Sequence, residues 1–281
     1  MNKYSPTEFT ISIDTTKRFV AFCERNAIYV LSIVLSCISV VAFTAYYFNG
    51  FGLAYNDARS HLDIGRRVVE GLKPGLAQLG SVWLPLTHIL MIPTIWNDFM
   101  WHTGLAGALQ SMIAYVATGL LIYLFLRELG ASMFARLVGV AIFASNTNIL
   151  YLQSTAMTEL LLLATMTAGA YQLLLWFKSN DMVYLIKSSF WIMLSTLVRY
   201  DGWFLFGFAA ILIFSYTLYR KGYAPAEGTV VLYATLAGFG IALWFLWNAL
   251  IFKDPLYFIF GPYSAYSQQN QLEAAGVLAT K

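Results

Sequence analysis

The sequence predicts an all-α, polytopic membrane protein, and three observations carry that expectation. Hydrophobic residues make up 59% of the chain and charged residues 11%, against roughly 45–50% and about 25% in a soluble domain. The apolar residues arrive in blocks free of Asp, Glu, Lys, Arg and His, with a mean hydropathy of +0.65 overall. Eighteen Tyr and eight Trp suit aromatic belts at both membrane interfaces.

Five blocks stand out along the chain: Ala27–Phe48, Thr103–Leu126, Leu137–Thr158, Leu160–Phe177 and Thr229–Phe252. Each approaches the ~17–25 residues that cross ~30 Å of hydrocarbon as a helix. In lipid the backbone must satisfy its own hydrogen bonds, which makes these runs helices. The first block is too long for a secretory h-region of about 7–15 residues and reads as an uncleaved anchor. Two weaker segments complete the set. Met182–Val198 holds Lys187 near one end, where a lysine snorkels to headgroups, and Trp203–Tyr219 follows the tight connection Arg199-Tyr200-Asp201-Gly202.

Trp83–Trp96 is apolar but short, with Pro85, Pro93 and His88 inside it. Its length suits a re-entrant or interfacial helix. Charge bias decides the same way. With a cytoplasmic N-terminus and no crossing here, Lys3, Lys17, Arg18, Arg25, Arg127, Arg136, Lys178, Lys187, Arg220 and Lys221 fall inside. A crossing would flip every later loop against the positive-inside rule. The expected organisation is therefore a cytoplasmic segment 1–26, a transmembrane domain 27–252 of about seven spans with a first outer loop 49–101, and an outer C-terminal segment 253–281. Cys23 and Cys37 are not placed to pair, so no disulfide framework is expected. The net charge of +3 sets orientation and does not imply nucleic acid.

This topology gathers ionisable residues on one side: Asp57, His61 and Asp63 in the first outer loop, Glu159 after the third span, and Arg199 and Asp201 after the fifth. Charges at the edge of a membrane domain are expensive, which makes the cluster a candidate site; the plain alternative is that turns attract polar residues. Asn56 or Asp57 can cap an amphipathic helix running to about Leu72, its Ile64–Val68–Leu72 stripe lying on the outer leaflet. Asp57 could act as a general base or be a simple cap. Asp57 and His61, four residues apart, could share a divalent metal. Arg199 could hold a lipid phosphate through its guanidinium, serve ordinary headgroups or pair with Asp201. Glu159 could orient an acceptor or interact with its helix dipole. The aromatic-rich stretch from Trp244 to Tyr263 reads as belt and packing. No Walker loop, HExxH, GxSxG or CxxC pair is present, which counts against ATPase, zincin, serine-hydrolase and redox chemistry.

Four stretches in this order resemble the GT-C superfamily of membrane glycosyltransferases, particularly bacterial relatives of protein O-mannosyltransferases and aminoarabinose transferases. They are Tyr55-Asn56-Asp57-Ala58-Arg59-Ser60-His61, Gly80-Ser81-Val82-Trp83-Leu84-Pro85-Leu86, Ala156-Met157-Thr158-Glu159 and Val198-Arg199-Tyr200-Asp201-Gly202. The resemblance implies transfer of a sugar (hexosyl or pentosyl) from a polyprenyl-phosphate donor to a glycan, lipid or protein acceptor at the outer face of the plasma or inner membrane. It implies Asp57 as the base and Arg199 at the donor phosphate; His61, Asp63, Glu159 and Asp201, placed on the same side by the topology, are further substrate-binding candidates. Ala58 stands where many relatives carry a second acidic residue. Relatives are longer, so the chain is expected to match the N-terminal part of such an enzyme or a shortened member. Competing readings are a transporter or flippase-like protein, which would place ionisable groups near the midplane, and a non-catalytic truncated remnant.

Overall fold

The structure, a computed structural model, describes residues 13–277, with side chains from residue 25 onward. Part of the expected segment 1–26, the side chain of Cys23 and the end of the segment 253–281 lie outside the described residues. Among the described residues every regular element is helical. Helix α1 (Ile13–Phe48) contributes the apolar stretch Arg25–Phe48; α5 (Leu105–Glu128), α8 (Glu159–Ser179), α10 (Asp201–Lys221) and α11 (Tyr223–Phe252) are likewise long and apolar enough to cross a membrane. Only 17 to 39% of each apolar window is buried within the protein. The remaining apolar faces, such as Val30, Ile33 and Val41 on α1 or Phe204, Phe208 and Ile211 on α10, are exposed. Surfaces of this kind are stable only against lipid, so the protein is a multi-pass membrane bundle.

The expected straight span over Leu137–Thr158 is instead two helices, α6 (Met133–Ala144) and α7 (Thr147–Gln153), bent by 63°. The break has a local cause. Asn146 accepts hydrogen bonds from the backbone N–H groups of Asn148 and Ile149, starting a new helix with its side chain. Gln153 then ties α7 to α1: Ser39 Oγ donates to Gln153 Oε1 at 2.5 Å and Gln153 Nε2 donates to Ser39 O at 3.2 Å. Helix α9 (Met182–Val198) has 17 residues, about 25 Å of helix. It packs against α8, α10 and α11 through small side chains. Ser188 Oγ donates to Gly169 O at 2.8 Å, and close approach through Ser, Thr and Gly is how helices associate where lipid removes the hydrophobic incentive. Among the described residues five helices are therefore long and apolar enough to cross a membrane, or six if the bent pair is one span, and α9 is a shorter apolar helix.

Between α1 and α5 lie α2 (Asn56–Val69), a 3-10 turn (Leu76–Leu79), α3 (Leu86–Ile95) and α4 (Asp98–His102); α12 (Tyr257–Phe260) and α13 (Ala265–Ala274) follow α11. Helix α3, the core of Trp83–Trp96, has 10 residues, about 15 Å, too short to cross. Three expectations about α2 need correction. Its N-cap is Tyr55, with no side-chain cap bond, and it ends at Val69. Leu72 is fully exposed. And its apolar stripe does not rest on a leaflet: Ala58 and Leu62 bury with Met91 and Ile95 of α3 and with Ala106, Ala156 and Met157. Gly65 lies in the same contact, where a Cβ would stand 3.6 Å from Met91 and Ile95, an ordinary packing distance.

Candidate functional site at one end of the bundle

Arg199 is the C-cap of α9 and Glu159 the first residue of α8. Forty residues apart in sequence, they meet as an ion pair, Arg199 Nη1 to Glu159 Oε1 at 2.9 Å. The same Nη1 donates to Thr158 Oγ1 at 3.1 Å, and Nε donates to Asp201 Oδ2 at 3.1 Å. Two atoms of this cluster are left over. Arg199 Nη2 has no partner among the described residues, and Glu159 Oε2 is buried without one. A guanidinium engaged on two edges cannot offer the two-pronged grip on phosphate that the sequence suggested, only its Nη2 side.

Helix α2 closes the other side. His61 is buried, and its Nδ1 lies 2.9 Å from Nε2 of His88 on α3. The Trp83 ring covers His61 at a centroid distance of 4.3 Å. Burial, reinforced by the positive charge of Arg199, pushes His61 down to about 4. Burial, then His61 and Arg67, push His88 down to about 3. Both rings are neutral at neutral pH. Their link to Arg199 is also covalently short: Tyr200, next in sequence, donates its hydroxyl to Val82 O at 2.7 Å and accepts from Trp244 Nε1 at 3.3 Å. Burial raises the Tyr200 hydroxyl to about 12, so it stays a donor. Trp247 Nε1 donates to Gly80 O at 3.3 Å. The Gly80–Trp83 loop is thus fastened to the α9–α10 turn and to α11.

Asp57 lies in the first turn of α2, exposed, one turn from His61 and on the same face. Its carboxylate makes no hydrogen bond or ion pair among the described residues, which leaves it open to an incoming group. Asp63 is not part of this cluster. Two residues beyond His61 it points elsewhere, its Oδ1 accepting from Trp101 Nε1 at 3.2 Å. Of the candidates, the fold therefore brings together His61, Glu159, Arg199 and Asp201, sets Asp57 at the rim, and turns Asp63 away. Sequence reasoning missed His88, which lacks ligand spacing to either other histidine, and Trp83 and Tyr200, which sit inside the four motif stretches without an individual signal. As for a metal, among the described residues no three His, Cys, Asp or Glu side chains gather. Asp57 and His61, one helical turn apart, would supply two ligands at most.

In comparison with known proteins, the chain matches no protein-family model, no curated protein and no solved structure.

Proposed function

We propose that the protein is a glycosyltransferase of the GT-C type, moving a sugar from a polyprenyl-phosphate donor to an acceptor hydroxyl. In this reading seven passes place the N-terminus in the cytoplasm and the site at the outer face of the plasma or inner membrane. The observation that carries it is a convergence. An exposed carboxylate, Asp57, stands one helical turn from the buried His61, beside a partly exposed cluster holding an arginine with one free nitrogen and a glutamate with one unpartnered oxygen. All of it lies at one end of an apolar bundle, where a lipid-borne substrate would arrive with its headgroup.

The chemistry follows from those roles. Asp57 takes the proton from the acceptor hydroxyl as its oxygen attacks the anomeric carbon. The bond from that carbon to the phosphate oxygen breaks, its electron pair stays on the phosphate, and polyprenyl phosphate leaves with inversion of the sugar. Arg199 Nη2 stabilises the negative charge that grows on the phosphate. Glu159 Oε2 accepts from a substrate hydroxyl, and Oε1 keeps Arg199 in place. The candidate ionisable groups sit at helix ends, Glu159 opening α8 and Arg199 capping α9, which supports this reading over transport, where they would sit near mid-bundle.

The test is transfer from radiolabelled polyprenyl-phosphate sugar by the full chain in detergent, where no sealed compartment exists. Asp57→Asn is expected to fold normally, because Asp57 makes no structural contact, and to lose about 10²–10⁴-fold in rate. Transfer undiminished by that substitution sinks the assignment, as does a topology reporter that finds Arg199 in the cytoplasm.

A further inference from the structure

His61 and His88 share a single proton across the 2.9 Å between Nδ1 and Nε2, and two arrangements are chemically allowed for neutral rings. If His61 donates, His88 accepts at Nε2 and must carry its own proton on Nδ1. That N–H would be buried with nothing to receive it, since His88 Nδ1 has no partner. If His88 donates from Nε2, its Nδ1 is a bare lone pair, and His61, accepting at Nδ1, carries its proton on Nε2. Orphaned buried N–H groups are rarer than under-used acceptors, which selects the second arrangement.

The surroundings say what the His61 Nε2–H faces. One edge of the ring is taken by His88 and one face by Trp83, which leaves the Nε2 edge for a ligand. The charges that act on the pair are those of Arg199 on His61 and Arg67 on His88, both positive. The carboxylates of Glu159 and Asp201 are engaged by Arg199 itself. A neutral donor held rigidly in a positive field suits an anionic oxygen.

We propose that His61 is a fixed hydrogen-bond donor to a phosphate oxygen of the ligand, acting beside Arg199, and that His88 is the positioning residue that holds the His61 proton on Nε2. The proposal rests on the glycosyltransferase reading only for the carrier of that phosphate. The shared chemistry is a phosphate anion, lipid-linked or free.

Two measurements on the full chain in nanodiscs test it without using transfer. The first is nitrogen NMR of histidine-labelled protein, practicable because the chain has three histidines. His61 and His88 are both expected as neutral rings protonated on Nε2; a His61 proton found on Nδ1 overturns the proposal. The second is binding of decaprenyl phosphate, decaprenol and inorganic phosphate, read by tryptophan fluorescence. Phosphate-bearing probes should quench and decaprenol should not. His61→Leu should weaken binding about tenfold or more, as expected for losing a hydrogen bond to a charged group. His61→Gln, which keeps an N–H near the Nε2 position, should restore most of it. His88→Leu should weaken binding on its own yet add nothing in the His61→Leu background, because it acts only through His61. A His88 effect that persists in that background, or a His61→Leu variant that binds phosphate normally, overturns the assignment. Inorganic phosphate responding as decaprenyl phosphate does supports the donor role with free phosphate as the ligand. Binding that behaves as stated, without any sugar transfer, removes the glycosyltransferase reading and leaves the phosphate site.

Discussion

Gly202 lies so close to the backbone of α9 that adding one methyl group there amounts to a measured push on the candidate site. A Cβ at this position would stand 2.5 Å from the Ser195 carbonyl carbon and 2.8 Å from Thr196 N, with the Ser195 oxygen nearer still. Ordinary contacts between such atoms begin near 3.5 Å, so α9 and α10 must separate by about 1 Å. None of the atoms in the way is the loose end of a side chain, and backbone cannot step aside cheaply. Overpacking of this kind costs about 1–3 kcal/mol. At about 2 kcal/mol the midpoint of thermal unfolding should fall by roughly 4–8 °C. The displaced segment carries Arg199 and Asp201, whose bonds to Glu159 and to each other are 2.9 and 3.1 Å long. A misplacement of 1 Å in a positioning group can cost about hundredfold in rate, so Gly202→Ala should also depress transfer and phosphate binding. Gly207, on the same helix with nothing within 4 Å of its Cβ position, provides the control: Gly207→Ala should be neutral or slightly stabilising. The assay is thermal unfolding in detergent by tryptophan fluorescence, run alongside binding. Equal midpoints for Gly202→Ala and the wild type would refute the claim that this glycine exists for close approach.

Two further perturbations address the docking of α2. Arg66 donates from Nη1 to Ile95 O and Trp96 O at 2.9 and 2.8 Å and from Nη2 to Asp98 at 2.6 Å, and it pairs with Glu70. It also covers the Trp101 ring at 4.9 Å. Arg66→Ala should loosen α2 from α3 by about 2 kcal/mol, measured as faster proteolysis between α1 and α5, with Lys a poor substitute because its single ammonium cannot reach three acceptors; unchanged proteolysis would refute it. The buried histidines make stability fall with acid. An imidazole in the unfolded chain titrates near 6.5, whereas His61 and His88 are held down to about 4 and about 3. Below about pH 6.5 the unfolded state therefore binds more protons than the folded one. Stability is complete above that pH and is lost as pH falls toward the two folded values. Between about pH 6.5 and 5 each ring contributes about 2 kcal/mol of loss. The double variant His61→Gln/His88→Gln should flatten the unfolding midpoint over this range, and a slope as steep as wild type would refute the reasoning.

The bundle was legible in the sequence because hydropathy is a local property summed over a window. Runs such as Ala27–Phe48 and Thr103–Leu126 announce themselves without reference to anything distant. The short helix within Trp83–Trp96 was legible for the same reason: a brief apolar run makes a short helix, Leu86–Ile95. Legibility ended where polar partners are remote. The α6–α7 bend depends on one asparagine outbidding the helix for two N–H groups, which a hydropathy window averages away. The direction of α2's apolar stripe was read correctly over Ile64 and Val68, but whether it met lipid or protein depended on Met91, Ile95 and Ala156, far along the chain. In the candidate site, Glu159 and Arg199 were each visible as costly charges at helix ends, yet their pairing over forty residues was not. Asp57 and His61 share a helical face by their spacing, whereas Asp63 stands about 160° round from His61, an angle available from the sequence that correctly separates them.

The fastening of the first loop bears on how the site works. If α2 and α3 floated on a leaflet, Asp57 and His61 would have to be ordered each time a substrate arrived, at a conformational cost per residue of about 1–2 kcal/mol. Instead the Tyr200 hydroxyl holds Val82, the Trp247 indole holds Gly80 and Arg66 holds the end of α3. Two of these tethers join the loop to separate elements of the bundle, the α9–α10 turn and α11, and the third ties α2 to α3 within the loop. Attachments at two places, with the loop braced internally, restrict position and orientation together, which one attachment cannot do. The Trp83 ring, carried between two of these tethers, is therefore held against His61 before any ligand binds, and His61 against His88. The ordering cost has been met in folding, and binding energy from a substrate remains for the chemistry at its headgroup.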